Sequence, residues 1–325
     1  MASILVTGGA GYIGAHTARL LLEEGHDVQV ADDLSKGYAH NVPKGRLNIV
    51  NLHDVAALDA LFARHRFDAV IHFAALIAVG ESMREAERYF RNNVGGSLAL
   101  FEVMRRHGVR QLVFSSTAAV YGDPDTTPIP EHAPLRPKSP YGESKRMVEN
   151  VLEWLDRTSG LRSVSLRYFN ACGAEPRYGI GEEHQPETHL IPLILRAVLT
   201  GEPLTVYGDD YPTPDGTCIR DYIHVADLAA AHLRALDYLM QGGATEVFNA
   251  GTGQGHTVLE VIRAAERATG RPVPFRFGPR REGDAAVLVA DSSKLKKTLG
   301  WKPQYESLEE MVASAWQFEK NRRRS

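Results

Sequence analysis

Tyr141 and Lys145 stand four residues apart in the run Tyr141-Gly142-Glu143-Ser144-Lys145, and no other tyrosine of the chain has a lysine at that spacing. Four residues is just over one helical turn, so the two side chains share a face. A phenol with a pKa of about 10 is a poor base at neutral pH, but an ammonium one turn away and a positively charged redox cofactor both favour its ionised form. The pair could then take a proton from a hydroxyl undergoing oxidation. Ser115, Ser116 and Thr117 close an apolar run. A hydroxyl at such a strand end can orient a substrate hydroxyl and share its proton, or simply satisfy nearby backbone groups.

A second feature lies near the N-terminus, where Thr7-Gly8-Gly9-Ala10-Gly11-Tyr12-Ile13-Gly14 spaces Gly8, Gly11 and Gly14 three apart. In a dinucleotide cradle one glycine makes the tight turn, one lets backbone approach a pyrophosphate, and one lets the helix pack close to the sheet; the helix N-terminus supplies N–H donors. A triplet alone could equally be a plain strand-to-helix turn. Here it follows an apolar strand, opens a helical pattern, and is followed 18 residues later by Asp32 at the end of the second strand. That carboxylate can accept from both adenosine ribose hydroxyls and repels a 2′-phosphate, so it favours NAD over NADP. Asp33 is either a further contact or a solvated turn residue.

The elements that must position these residues alternate. Strand-like runs at residues 4–7, 28–31, 47–50, 69–73, 112–115 and 164–167 are interleaved with helical patterns at 13–24, 55–64, around Leu98, Phe101, Val103 and Met104, and at 141–155. This is the pattern of an α/β, doubly wound parallel sheet of the Rossmann type. Beyond about residue 170, Gly and Pro become frequent, with strand-like pieces at 204–207 and 287–290. The reading is an NAD-binding domain over 1–175 and a smaller α/β substrate-binding region over 176–325. Residues 223–225 and 247–249 are candidates to return to the first sheet.

Composition bounds the function. The 325 residues carry 37 basic and 40 acidic side chains, a net charge of −3, which gives no footprint for nucleic acid; the one basic run, Arg322-Arg323-Arg324, reads as a solvated tail. The longest apolar stretch is broken by His72 and is too short to span a membrane. Cys172 and Cys218 form no CxxC pair and read as ordinary buried thiols of a cytoplasmic protein. The 13 histidines show no metal-binding spacing, so no metal is expected, and His72 reads as a satisfied core residue.

These residues resemble the extended short-chain dehydrogenase/reductase family and, within it, the UDP-sugar 4-epimerases. The resemblance extends through Phe73-Ala74-Ala75 with Val79 to Ser82, Arg167 to Asn170, Tyr207 to Thr213 with Asp215 to Thr217, Arg220 to Val225, and Arg280 to Asp284. It implies reversible epimerisation of UDP-glucose and UDP-galactose at C4, with tightly held NAD and a 4-keto intermediate. Tyr141 would be the base, Thr117 would share its proton, and Lys145 would bind the nicotinamide ribose and tune Tyr141. It further implies cofactor contacts at Gly8, Gly11, Tyr12, Ile13, Gly14, Asp32, Asp33, Leu34, Asn51, Leu52, Phe73, Ala74, Ala75, Asn93, Ser115 and Phe169. UDP-sugar contacts are implied at Asn170, His189, Leu190, Tyr207, Arg220, Arg281 and Asp284, and a homodimer through helices near 90–107 and 141–155. Arg220 and Arg281 make sense as bidentate clamps on a pyrophosphate.

Some positions depart from the family pattern. Asn51 replaces an Asp near the adenine, though an amide oxygen can still accept its amino proton. Ile77 replaces a lysine near the cofactor, and Gly95 and His189 each replace an Asn. Leu288 sits where side-chain bulk selects against N-acetylated sugars. A dehydratase would need an acid and a base right after Thr117, where this chain has Ala118 and Ala119. A UDP-pentose (xylose/arabinose) 4-epimerase has the same chemistry and stays open, as does a non-catalytic NAD-binding sensor.

Overall fold

The computed structural model describes residues 1–281 and 284–322. Its main body is a seven-stranded parallel sheet in the order β10-β6-β5-β4-β1-β2-β3. The strands are β1 (Ser3–Thr7), β2 (Asp27–Asp32), β3 (Leu47–Ile49), β4 (Ala69–His72), β5 (Gln111–Ser115), β6 (Arg162–Tyr168) and β10 (Glu246–Ala250). Alternate residues of a strand face opposite sides. Ile4 and Val6 of β1 therefore point to one layer with Ala18 and Leu21 of helix α1 (Tyr12–Glu23) and Leu228 and Leu236 of α8 (Val225–Met240). Leu5 points to the other, with Leu58 and Leu61 of α2 (Val55–Arg64), Leu100 and Met104 of α5 (Gly96–Arg106), and Val148 and Leu152 of α6 (Pro140–Ser159). This two-sided burial is why the strands read as unbroken apolar runs.

Two short helices, α3 (Val79–Ser82) and α4 (Ala86–Tyr89), and a π-helical turn at 90–95 lead into α5. The turn carries Asn93; such bulges recur at functional sites. Leu98, one marker of α5, lies on its outer, exposed face. Helix α6 has Ser139 as N-cap, its Oγ accepting from Gly142 N at 3.1 Å, Pro140 in the first turn, and a left-handed Gly160 at the C-cap.

The second layer system holds β7 (Asn170–Cys172), β9 (Ile219–His224), β11 (Gly255–Thr257) and β13 (Val287–Leu288) in one sheet, and β8 (Leu204–Tyr207) with β12 (Phe275–Gly278) in another. Helices α7 (Leu190–Thr200), α9 (Val258–Thr269) and α11 (Leu308–Arg322) cover them, while α10 (Ser293–Leu299) packs beside β10 through the Lys294–Glu246 ion pair. Residues 247–249 do enter the first sheet, beside β6, but Ile223 does not: it pairs with Ala171 of β7. Its apolar neighbours suit either sheet, and the long-range partner decides. Cys172 is buried, whereas Cys218 is only half-buried. No helix among the described residues is long and apolar enough to cross a membrane. Glu282, Gly283, Arg323 and Arg324 lie outside the described residues.

Candidate active site

The sheet order reverses between β1 and β4, so a crevice opens beyond their carboxyl ends. The glycine loop fills the β1 side. Gly8 adopts φ +69°, and a Cβ there would lie 2.5 Å from Ala74 N in the loop after β4; a Cβ on Gly14 would lie 2.4 Å from Gly8 O. Helix α1 thus starts against its own turn. Its N-cap, Gly11, offers no capping side chain and its first turn has no acid, which leaves the terminal N–H groups for an anion.

Asp32 ends β2 with its carboxylate mostly buried. It accepts from Ala10 N at 3.0 Å and Leu34 N at 2.9 Å, which pins the glycine loop and leaves lone pairs on both oxygens. Burial raises its pKa, opposed by the two backbone N–H groups. Leu34 has φ +59°, alone among the described non-glycine residues in being positive, so the chain turns sharply under the carboxylate. Asp33 is exposed and accepts from Asn51 Nδ2 at 2.8 Å, while Asn51 Oδ1 accepts from His53 N. Asn51 is therefore committed to Asp33 and its own turn, with one lone pair to spare for an adenine. Asn93 is also occupied: Oδ1 accepts from Leu76 N at 2.8 Å, and Nδ2 donates to Leu76 O and Ser144 Oγ, both at 3.0 Å. It fastens the Phe73–Leu76 loop to α6.

Tyr141, 8% exposed, opens α6 beside Thr117 at the carboxyl edge of β5. A Cβ on Gly142 would lie 2.6 Å from Ala119 O, so only glycine brings α6 this close to the 118–120 turn. Thr117 Oγ1 accepts from Ala119 N at 3.1 Å. Burial raises the phenol's pKa, and hydrogen bonding to Thr117 works against it. The expected tuning by Lys145 is not among these influences. Lys145 Nζ instead donates to Ser115 O at 2.7 Å and sits 4.8 Å above the Phe114 ring. Its burial lowers its pKa to about 7, against the pull of Glu149.

One turn beyond Lys145, Glu149 anchors a buried network that sequence reasoning missed. Arg167 of β6 donates to it from Nη2 at 2.6 Å and from Nε at 3.0 Å, and Ser116 Oγ donates at 2.5 Å. Arg167 Nη1 reaches the Tyr121 hydroxyl, which donates to Asn249 Oδ1 at 2.6 Å. The i, i+4, i+8 spacing of Tyr141, Lys145 and Glu149 was the available signal. His72 is the satisfied core residue expected, bonded to Thr7 Oγ1 at 2.7 Å and Ser97 Oγ at 2.9 Å.

Four of the residues expected to hold a UDP-sugar come together in pairs. Arg220 Nη2 lies 3.5 Å from Asp284 Oδ1, and the Arg281 guanidinium lies 4.0 Å from the centre of the Tyr207 ring. Leu288 is in register with Arg220, and Phe169 packs with Leu288 against the Ala118–Tyr121 turn. Asn170 starts β7, and Leu190 starts α7 with His189 as N-cap. The Asp215 motif is structural: Asp215 accepts from Thr217 Oγ1 and from Thr257 Oγ1, the N-cap of α9.

His189 has a second set of neighbours. Glu182, His184, Glu187 and His189 gather with one donor atom each within 4.8 Å of one another, although no such spacing was recognised in the sequence. Burial works against charge on the two rings, but the glutamates outweigh it, raising His184 to about 9 and His189 to about 10.

Residues 4–251 match the model of the NAD dependent epimerase/dehydratase family. The chain belongs to that family. It is 49% identical to the UDP-glucose 4-epimerase of Halalkalibacterium halodurans, over 98% of this chain and 96% of that one. The fold is similar to the crystal structure of UDP-glucose 4-epimerase from Brucella ovis in complex with NAD (TM-score 0.95, 43% identity, 98% of both chains). It is also similar to the UDP-glucose 4-epimerase of Stenotrophomonas maltophila with bound NAD and formylated UDP-arabinopyranose (TM-score 0.96, 42% identity, 100% and 99% covered).

As an epimerase/dehydratase family member the chain uses NAD, and its crevice suits that cofactor: an uncapped helix N-terminus for the pyrophosphate, a loop that tolerates no Cβ at Gly8, and a carboxylate with free lone pairs for the ribose.

Proposed function

We propose that this protein interconverts UDP-glucose and UDP-galactose, and that Tyr141 is the proton-transfer group. The observation that carries the reading is a buried phenol placed beside Thr117, with Lys145 one turn along, at the carboxyl edge of the sheet. NAD would supply the acceptor and donor for the hydrogen on C4. Thr117 orients the 4-hydroxyl and shares its proton with Tyr141. Because burial raises the phenol's pKa, its ionised form depends on positive charge brought close to it. Lys145, whose Nζ is tied to Ser115 O, would bind the nicotinamide ribose, and the positive charge for the phenolate would come with the bound cofactor. Ala118 and Ala119 cannot move protons, which favours oxidation and return without elimination.

The contacts proposed for the UDP-sugar are Asn170, His189, Leu190, Tyr207, Arg220, Arg281 and Asp284. Within this reading, residues 176–325 contribute most of the sugar-nucleotide side. Full-length similarity to UDP-glucose 4-epimerases favours a hexose over a pentose. The test is to incubate the protein with UDP-galactose and no added NAD and follow the sugar protons by NMR. UDP-glucose should appear at equilibrium ratio; conversion of UDP-xylose alone would overturn the hexose reading.

The expected homodimer is supported by the exposed apolar side chains Leu98 on α5 and Met147 and Trp154 on α6. Light scattering should give twice the chain mass for the parent and one chain for Trp154→Glu; a monomeric parent would sink this assembly.

A further inference from the structure

We propose that Glu182, His184, Glu187 and His189 form a four-coordinate site for a divalent transition metal, with zinc the best fit, which fastens the loop before α7. All four come from one eight-residue stretch, Glu-x-His-x-x-Glu-x-His, that ends at the N-cap of α7. Four nitrogen–oxygen distances span the cluster, Glu187 turning one oxygen to each ring. His184 Nδ1 lies 3.3 Å from Glu182 Oε1 and 3.6 Å from Glu187 Oε2; His189 Nδ1 lies 2.7 Å from Glu182 Oε1 and 3.3 Å from Glu187 Oε1. Zinc bonds of about 2.1 Å to nitrogen and oxygen give a tetrahedron with edges of about 3.4 Å; one donor atom from each residue lies within 4.8 Å of the others, so small side-chain shifts bring the four to coordination spacing.

A plain ion-pair cluster explains the distances but not the orientation. Both Nδ1 atoms are buried and neither is aligned to hydrogen-bond with any group, even with carboxylate oxygens this near. A buried ring nitrogen without a hydrogen bond is costly, whereas a metal would use its lone pair directly. A divalent cation would displace a proton from each imidazole, and with the two carboxylates the loaded site carries no net charge. Nitrogen with carboxylate oxygen in a compact four-donor set suits zinc better than calcium or magnesium, which take six or more oxygens.

With four protein donors no open position remains for substrate, so the metal is structural. Glu182 is packed in a recess lined by Gly173, Leu195, Ala315 and Phe318, so the ion would tie the loop to α7 and α11 together. Coordination through Nδ1 leaves Nε2 of His189 for the sugar-nucleotide contact proposed above, and the site does not depend on that contact.

The experiment uses untagged full-length protein, stripped with a chelator and titrated with Zn2+ against a chromophoric competitor, with thermal unfolding followed in parallel. One Zn2+ per chain and a raised Tm are expected, and Co2+ in its place should show the intense visible bands of a tetrahedral ion. His184→Ala and Glu187→Gln should each weaken Zn2+ at least tenfold, and His184→Cys should retain it. A parent that takes up no zinc, an octahedral Co2+ spectrum, or a His184→Ala or Glu187→Gln variant that binds like the parent would overturn the site. The cobalt spectrum of the parent decides the matter even where a variant fails to fold.

Discussion

Tyr141 is held in a conflict that the reaction can use. The protein around it pushes the phenol towards its neutral form through burial, with Thr117 opposing. A side chain in that position gives up its proton only when charge arrives beside it, which couples base strength to a loaded site. Tyr141→Phe keeps the ring that fills the space and removes the hydroxyl proposed as the base. Turnover of UDP-galactose should fall by about 10²- to 10⁴-fold, with NAD content, read from absorbance of the purified protein, unchanged. An unaltered rate would instead favour the sensor reading. Asp32 carries a double load in this proposal, since the carboxylate that would hold a ribose also holds Ala10 and Leu34.

Helix α6 gathers these duties on one stripe, Tyr141, Lys145 and Glu149. Truncating Glu149 to Ala strands the Arg167 guanidinium in the interior and should cost roughly 3–5 kcal/mol, measured by urea unfolding. Glu149→Gln retains the shape but removes the charge that sustains the Lys145 ammonium, so the alkaline limb of the activity profile should move to lower pH. A limb that stays in place would detach Lys145 from the pH dependence.

The glycine loop and the Tyr141–Lys145 pair were legible in the sequence because their partners are local: a turn, a helix start, one helical pitch. Glu149 was not, because Arg167 and Ser116 reach it from two different strands, and its place two turns after Tyr141 marks only the helix face, not those partners. Strand β9 was equally ambiguous, its apolar side chains fitting either sheet until β7 claimed it. The Glu182–His189 cluster escaped because its spacing fits neither a helix face nor a strand face; only the loop's path brings the four donors together.

For the molecule as a whole, acid is the weak side. His16, His72, His224 and His232 are held neutral by burial, with pKa values of about 4, 3, 4 and 4. The folded values lie below the unfolded value of about 6.5, so the stability they contribute is whole above that pH. It is lost as pH falls from there towards 4, because the unfolded chain takes up protons that the folded chain refuses. Each can contribute up to about 1.4 kcal/mol per pH unit in that window. Unfolding midpoints in urea should therefore drop steeply between about pH 6 and 4, and His232→Gln should flatten the slope by about one proton; an unchanged slope would mean that His232 is not held neutral.

The return of the chain to the first sheet has a consequence for how this protein can be divided. Strand β10 and helix α8 arrive from beyond residue 220, yet β10 covers the free edge of β6 and α8 packs on the same face as α1. A cut near residue 175 would leave β6 as a bare edge and strip the apolar layer from one side of the sheet. The sheet that carries the glycine loop is thus completed by chain from beyond residue 220. Neither half is a transferable module, and the two should melt in one transition.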